Sequence, residues 1–86
     1  MAYRIEFSPA ARRDMAALPR HIQPRVDERI LALAENPRPH GVKKLRGSGY
    51  YRIRAGDYRI VYSIRDEVLV VFVVKIADRK EVYRRR

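Results

Sequence analysis

Residues 50–62 have the sequence YYRIRAGDYRIVY, the most informative segment of the chain. Two segments of alternating character flank Gly56-Asp57, a pair typical of a tight turn, so the stretch predicts a β-hairpin. Successive side chains of a strand point to opposite faces, which separates the two kinds of residue. The core face would carry the apolar side chains Tyr51, Ile53, Ala55, Tyr58, Ile60, Tyr62 and Ile64. The opposite face would carry Arg52, Arg54 and Arg59.

Three arginines on one exposed face predict a site for phosphate groups. The planar guanidinium donates two parallel hydrogen bonds to phosphate oxygens and keeps its charge at physiological pH. The alternative is that Arg52, Arg54 and Arg59 are ordinary solvent-facing strand residues. The charge of the whole chain favours the phosphate interpretation.

The chain carries a net charge of +10, concentrated in its second half. Residues 1–40 hold seven Lys or Arg against five acidic residues, whereas residues 41–86 hold thirteen against five. Such an asymmetry predicts a polyanionic partner, either nucleic acid or an acidic protein segment. A solvated basic surface that only aids solubility is the other interpretation.

A length of 86 residues predicts one domain, residues 1–86, held together by apolar packing because the chain has no cysteine. The N-terminus lacks the apolar run of a signal peptide, and the apolar run at residues 68–74 is too short for a membrane helix. These features predict a cytoplasmic protein that does not associate with membranes.

The N-terminal half predicts a strand followed by two helices. Residues 3–7 alternate as a short strand, and Ser8-Pro9 then gives a helix start with serine as the cap. Pro19 ends this helix. A second helix is expected over residues 21–35, and Asn36-Pro37 ends it because the residue before proline avoids the helical region.

The C-terminal half predicts an antiparallel meander. A short extended piece at residues 42–45 precedes the hairpin, and Asp66-Glu67 turns the chain into a third strand at residues 68–75. The unbroken apolar run of this strand predicts burial on both faces, and residues 76–86 would be a basic tail. The expected fold class is α+β, with an N-terminal strand and a two-helix hairpin packed on a small antiparallel sheet.

Conventional catalytic and metal-binding signatures are absent from the sequence. His21 and His40 lie far apart without ligand spacing, and both are expected on the surface. No Gly-rich phosphate loop or nucleophile elbow is present, and Asp57 is a turn former. We therefore expect no metal and no small-molecule cofactor.

The remaining candidates are basic residues and one tyrosine. Candidate RNA-binding residues around the hairpin and the third strand are Lys43, Lys44, Arg46, Lys75 and Lys80. The end of the third strand can bring Arg79 and Tyr83 toward Arg59, as a platform where Tyr83 stacks on a base or handles a proton. Tyr83 could equally have a structural role and pack against the edge of the core. Since arginine is a poor general base, such a site would be a weak catalyst without a partner that positions the substrate.

The chain resembles the RelE/ParE superfamily of type II toxins over nearly its whole length. The resemblance rests on the order and spacing of several segments rather than on one motif. The segments are the strand at residues 3–7 followed by SPAARRDMAALP, Asn36-Pro37, KLRG at residues 44–47, YRIR at 51–54, GDYRIVY at 56–62 and RKEVY at 79–83.

In the RelE branch, the resemblance implies an endoribonuclease that enters the ribosomal A site and cuts mRNA there. A ribose 2′-hydroxyl attacks the adjacent phosphate without a metal, and a cognate antitoxin wraps the toxin and covers its basic surface. By position, Arg52 and Arg54 match the family's basic strand pair, and Arg59 matches its phosphate-stabilising arginine. Arg79 matches the C-terminal arginine proposed as an acid or charge stabiliser, and Tyr83 matches the tyrosine that orients the nucleotide or transfers a proton.

Two positions depart from the best-known RelE pattern. Arg52 and Arg54 stand where that pattern has lysines, and Asp78 stands where many relatives carry a histidine. Two other functions therefore stay open: a ParE-like inhibitor of DNA gyrase without chemistry of its own, and a degenerate relative that binds RNA and antitoxin without cleaving. Retention of Arg79 together with Tyr83 favours the nuclease.

Overall fold

The fold is a five-stranded sheet with two helices packed on one face. The computed structural model describes residues 2–78. In chain order the elements are β1 (Arg4–Phe7), α1 (Pro9–Ala17), α2 (Gln23–Glu35), β2 (Lys43–Leu45), β3 (Tyr50–Ala55), β4 (Tyr58–Arg65), a 3₁₀ turn (Asp66–Val68) and β5 (Val70–Asp78). The strands lie side by side in the order β1-β5-β4-β3-β2. The predicted α+β class is confirmed.

The β3–β4 hairpin forms as predicted. Its strands pair antiparallel, with Ile53 opposite Ile60 and Arg54 opposite Arg59. The turn between them contains Gly56, whose φ of 64° lies in the left-handed region that glycine adopts without steric penalty. The alternation of the sequence therefore becomes a two-faced ribbon, apolar on the side of the helices and cationic on the other.

The sheet is mixed rather than wholly antiparallel. Strands β2 to β5 pair antiparallel, as the meander requires, but β1 pairs parallel with β5, placing Arg4 beside Val70 and Phe7 beside Val73. The sequence pattern predicted the strand at residues 3–7 but not its direction, because its partner lies more than sixty residues further along the chain. Strand β5 thus has neighbours on both sides, as expected of a central strand.

Both helices begin and end at local signals in the sequence. The Ser8 side chain caps α1 by accepting a hydrogen bond from the Ala11 amide at 3.0 Å, and Pro9 occupies the first helical position. Helix α2 begins at Gln23, two residues later than expected, because residues 19–22 form a separate turn in which the Ile22 amide bonds to the Pro19 carbonyl. Within residues 2–78, neither helix is long and apolar enough to cross a membrane.

The core lies between α2 and the middle of the sheet. Val26, Ile30 and Leu33 form the apolar stripe of α2 and are fully buried against Ile53 and Ile60. Removing such a side chain from water stabilises the fold by about 1.5–3 kcal/mol. This packing holds the hairpin rigidly from the side opposite its arginines.

Tyr62 connects the centre of the sheet to the loop after α2. Its side chain is fully buried, and its hydroxyl donates a hydrogen bond of 2.7 Å to the Pro37 carbonyl. Burial raises the pKa of this phenol to about 12, so the hydroxyl stays a donor under physiological conditions. Its ring also stacks on Tyr51, with the two centroids 5.9 Å apart.

Strand β5 differs from its prediction at both ends. It begins at Val70 and continues to Asp78, which places residues 76–78 in the sheet rather than in a tail. Burial on both faces holds for Val70, Val71 and Val73, but Val68 lies before the strand and is 58% exposed. Val68 belongs to the 3₁₀ turn, and within the strand Phe72 and Val74 are only partly buried.

A β-bulge interrupts β5 and is held by α1. Tyr62 pairs with Val73 and Val61 pairs with Lys75, so Val74 is the extra residue. Strand β1 ends before this point, and α1 supplies the missing partners. The Ser8 hydroxyl donates to the Val74 carbonyl at 3.0 Å, and an Asp14 carboxylate oxygen accepts from the Ile76 amide at 2.9 Å.

Asp14→Ala should lower the free energy of unfolding by about 2 kcal/mol, since a charge-assisted hydrogen bond to β5 is lost. Asp14→Asn should lose much less, because its amide oxygen can still accept from the Ile76 amide. Urea unfolding measures both changes. Asp27→Ala, on the exposed side of α2, is the matched control, and a loss as large in this control would contradict the role of the Asp14 bond.

A second contact network joins the loop after α2 to the turn before β5. Arg38 donates to both carboxylate oxygens of Asp66, at 3.3 and 2.9 Å, and the Tyr3 hydroxyl donates to the same carboxylate at 2.6 Å. The bonds from Arg38 and then Tyr3 lower the pKa of Asp66. The bond to Asp66 is the main cause that raises the pKa of Tyr3.

The stabilising effect of the Asp66 charge should depend on pH. Because its folded pKa lies below the ordinary value of 3.8, the contribution is present above pH 3.8 and is lost as the pH falls through the folded pKa. The unfolding free energies of the wild type and Asp66→Asn should therefore converge in acid. Glu67→Gln serves as the control, and a difference between wild type and Asp66→Asn that stays constant down to pH about 2 would refute this linkage.

Candidate nucleic-acid interface

The face of the sheet opposite the helices carries a cluster of three arginines. We call Arg52 and Arg54 of β3 together with Arg59 of β4 the cationic cluster. Arg54 and Arg59 are direct partners across the hairpin, and Arg52 is the next residue on the same face of β3. Side chains directly opposite each other in an antiparallel pair have Cβ atoms about 5 Å apart. The three charges therefore repel one another at close range.

The electrostatics of the cationic cluster show that its charge is not compensated. Partial burial, followed by the charges of Arg54 and Arg59, lowers the pKa of Arg52. Within residues 2–78, none of the three arginines forms a salt bridge. Arg59 Nε is moreover buried without a hydrogen-bond partner in this part of the chain. A bound anion would satisfy that donor and relieve the repulsion.

The scaffold beneath the cationic cluster is well supported. Ile53 and Ile60, which alternate with the arginines, are almost completely buried. Strand β2 pairs only with residues 50–52 of β3, so the Arg54 carbonyl lies beyond its reach. Arg29 of α2 provides a partner there, since its Nε donates to the Arg54 carbonyl at 3.0 Å. No local pattern in the sequence predicts this supporting role of Arg29.

The flanking cations do not all join the cluster. Lys43 pairs with Arg52 and extends the cationic face onto β2. Lys44 pairs with Tyr51 and lies on the side of the helices, its ammonium 5.9 Å from the centre of the Tyr51 ring. Arg46 follows β2 in an exposed turn. The structure thus brings Lys43, but not Lys44, to the arginines.

Lys75 occupies an intermediate position. Its register partner is Val61, which lies between Arg59 and Ser63 on the face of the sheet opposite α1 and α2. The Lys75 ammonium is nevertheless 3.8 Å from Asp14 at the edge of β5, so part of its charge is balanced there. The predicted site residues Arg79, Lys80 and Tyr83 lie outside the described residues.

An apolar hollow that the sequence pattern does not predict lies beside the cationic cluster. This hollow has a volume of about 650 Å³ and includes Tyr50, Val70 and Phe72 among its lining residues. The alternation that would have revealed it is hidden, because residues 68–74 are apolar on both faces of the strand. Among residues 2–78, no group of three His, Asp or Glu side chains is arranged to hold a metal ion.

The chemistry available on this face is electrostatic. Arginine stays protonated at physiological pH, so the cationic cluster can bind phosphate and stabilise charge that develops on it. It is poorly suited to remove a proton. The described part of the face is therefore suited to holding a polyanion, and any proton transfer requires another group.

Comparison with known proteins shows the family. A model of the ParE toxin of type II toxin–antitoxin systems, parDE, matches residues 5–83. The mRNA interferase toxin RelE of Escherichia coli is 34% identical over 88 residues, covering 96% of this chain and 92% of the relative. The chain belongs to the RelE/ParE superfamily of type II toxins, which confirms the resemblance inferred from its motifs.

Two further matches agree with this assignment. Toxin RelG of Mycobacterium tuberculosis is 36% identical over 88 residues, covering 99% of this chain and 100% of the relative. The toxin–antitoxin complex RelBE2 of the same organism contains a chain that superposes with a TM-score of 0.83 at 33% identity. That match covers 92% of this chain and 93% of the other.

Arg54→Gln should stabilise the isolated protein while weakening its affinity for anions. Removing one of two like charges that face each other across a strand pair should raise the free energy of unfolding by about 0.3 kcal/mol at low salt. Inorganic phosphate should then stabilise the wild type more than the variant. Thermal unfolding with and without phosphate measures both effects.

Arg12→Gln, an exposed change on α1 with the same loss of charge, is the control. If both variants respond alike to phosphate, net charge alone explains the effect and the cationic cluster is not an anion site.

Proposed function

We propose that this chain is the toxin of a type II toxin–antitoxin pair and an endonuclease that cuts mRNA on the ribosome. The observation that carries the proposal is the uncompensated cationic cluster on the sheet face that α1 and α2 leave uncovered within residues 2–78. The similarity to a toxin named as an mRNA interferase, across 96% of the chain, supports RNA as the polyanion.

The proposed reaction is an internal transfer at one phosphodiester. The ribose 2′-hydroxyl attacks the adjacent phosphorus and loses its proton, so that an O2′–P bond forms while the P–O5′ bond breaks. The 5′-oxygen leaves with a proton, and the upstream fragment keeps a 2′,3′-cyclic phosphate. Negative charge accumulates on the non-bridging oxygens in the transition state, where preorganised cations stabilise it most.

The arginines of the cationic cluster have different proposed roles in this reaction, according to their positions. Arg59 has the buried, unpartnered Nε and is the proposed donor to the phosphate that reacts. Arg52 and Arg54 hold this phosphate and its neighbours along β3. Arg79 is proposed as an acid or charge stabiliser, and Tyr83 as the group that orients the nucleotide or transfers the proton.

The ribosome is the proposed partner in catalysis. Three arginines provide charge stabilisation but no efficient base, so the reaction depends on a substrate already held in line for attack. Correct positioning alone can contribute about 7–11 kcal/mol to lowering a barrier. An mRNA fixed on a ribosome meets this need, and it places the proposed site of action in the cytoplasm.

An antitoxin is the second proposed partner. A solved relative is a toxin–antitoxin complex, RelBE2 of M. tuberculosis. A protein segment with acidic or amphipathic character could wrap this toxin and cover the cationic cluster, neutralising charges that have no salt-bridge partner within residues 2–78. Binding would then block the RNA site and stabilise the toxin fold.

The second candidate function is inhibition of DNA gyrase. The matching family model carries the ParE name, which favours this alternative at the level of the superfamily. The anion-binding chemistry of the cationic cluster is compatible with either target. A relative that binds RNA and antitoxin without cleaving is the third candidate.

Arg59→Ala should reduce cleavage of ribosome-bound mRNA by about 10²–10³-fold, the usual loss when a preorganised transition-state donor is removed. Arg59→Lys should keep part of the activity, because it retains the charge but not the bidentate geometry. Primer extension on a translated message, after brief expression without antitoxin, measures the cuts.

Arg12→Ala is the control, because it removes the same charge from an exposed residue outside the face that carries the cationic cluster. Cuts restricted to ribosome-covered codons, and lost in Arg59→Ala, support the nuclease. Intact mRNA together with trapped gyrase–DNA complexes would establish the gyrase alternative instead.

A further inference from the structure

The apolar hollow lies directly beside the cationic cluster, on the face of the sheet opposite α1 and α2. Its floor is formed by Val70 and Phe72 of β5, and Tyr50 of β3 and Val68 form part of its wall. Ser63 and Arg65 of β4 add a hydroxyl and a guanidinium to the lining. Its volume of about 650 Å³ lies within the range of about 300–1,000 Å³ typical of small-molecule clefts.

We propose that this hollow binds an unpaired nucleobase of the same RNA strand whose phosphates lie on the cationic cluster. The inference rests on the proposed function, since it requires single-stranded RNA as the ligand of this face. It adds a subsite for a base next to the subsite for phosphates.

The two subsites are continuous in the sheet. Tyr50 and Arg52 are two residues apart on the same face of β3, a separation of about 6.8 Å. On β4, Ser63 and Arg59 lie on that face with Val61 between them. A nucleotide bound through its phosphate at Arg52 therefore has the hollow within reach of a neighbouring base.

The chemistry of the hollow suits a base rather than a phosphate. The rings of Tyr50 and Phe72 can stack on a flat heteroaromatic group, the interaction on which binding of unpaired bases relies most. Arg4 and Glu6 at the rim pair with each other at 2.9 Å, so they add little net charge. The Ser63 hydroxyl and the Arg65 guanidinium offer hydrogen bonds to a base edge.

A nucleobase also fits the hollow better than a protein segment does. Val70 is only 6% exposed, whereas Tyr50 in the lining is 38% exposed, so its ring is accessible to a stacking ligand. The neighbouring arginines, which lack salt bridges within residues 2–78, favour a ligand that carries its own negative charge.

The test compares two short oligonucleotides on the full-length protein. One is a single-stranded RNA with 2′-O-methyl groups, which block cleavage, and a fluorescent 2-aminopurine; the other has an abasic residue at the same position. Wild type should bind the base-bearing strand more tightly and quench its fluorescence by stacking. Tyr50→Ala and Phe72→Ala should each weaken this binding by about tenfold and leave the abasic strand unchanged.

Tyr50→Phe is the matched control, because it keeps the ring and should keep the affinity. Tyr50 is 38% exposed, so its replacement tests the hollow without opening the core if Phe72→Ala fails to fold. Arg59→Ala should weaken both strands equally, which separates the phosphate subsite from the base subsite.

Three results would overturn the inference. Equal binding of both strands to wild type, lost in Arg59→Ala, would remove the base subsite and leave the proposed phosphate site standing. Failure of wild type to bind either strand would refute the base subsite, whereas primer extension on a translated message tests the proposed function separately. Loss of antitoxin binding in Tyr50→Ala, with RNA binding unchanged, would make the hollow a protein-docking surface.

Discussion

The two-residue period of the β3–β4 hairpin couples the hydrophobic core to the cationic cluster. Ile53 and Ile60 enter the core only if Arg54 and Arg59 face the other way. A slip of one residue in either strand would bury guanidinium groups among apolar side chains, where an unpaired charge is unfavourable by several kcal/mol. The hydrophobic core and the cationic cluster are therefore specified by the same alternation, and neither can change register alone.

The helices determine which face is available for function. Both pack on the apolar face, so the cationic face has no helix to supply counter-charges within residues 2–78. Facing arginines repel each other, and the fold tolerates this because the apolar packing beneath them is larger in energy. An unfavourable local arrangement that the core maintains is typical of a binding site rather than of a solubilising surface.

Local signals in the sequence predicted most of this architecture. The hairpin, the Ser8 cap and the end of α2 at Asn36-Pro37 each depend on neighbouring residues, and each appears in the structure. The parallel pairing of β1 with β5 and the bulge at Val74 depend on contacts between distant segments, which a single sequence does not encode in its local pattern.

In the candidate site, too, some features follow from local sequence patterns and others do not. The face of Arg52, Arg54 and Arg59 followed from alternation within a long hairpin. Lys44 could not be assigned to a face in this way, because β2 has only three residues and its register is set by β3. The hollow at Phe72 was hidden for a different reason: a strand that is apolar on both faces gives no sign that α1 and α2 leave one of them uncovered.

The division of the exposed face into a cationic end and an apolar end has a physical consequence for the proposed activity. Charge and stacking can bind RNA, but neither removes a proton. The groups that give this face its affinity for RNA therefore do not supply the proton transfer that cleavage requires. RNA that is free in solution would be bound in many geometries and cut slowly in each. A message held by the ribosome presents one geometry, and the positioning it supplies is the contribution that the arginines lack. Dependence on the ribosome would thus follow from the side-chain chemistry of the toxin itself.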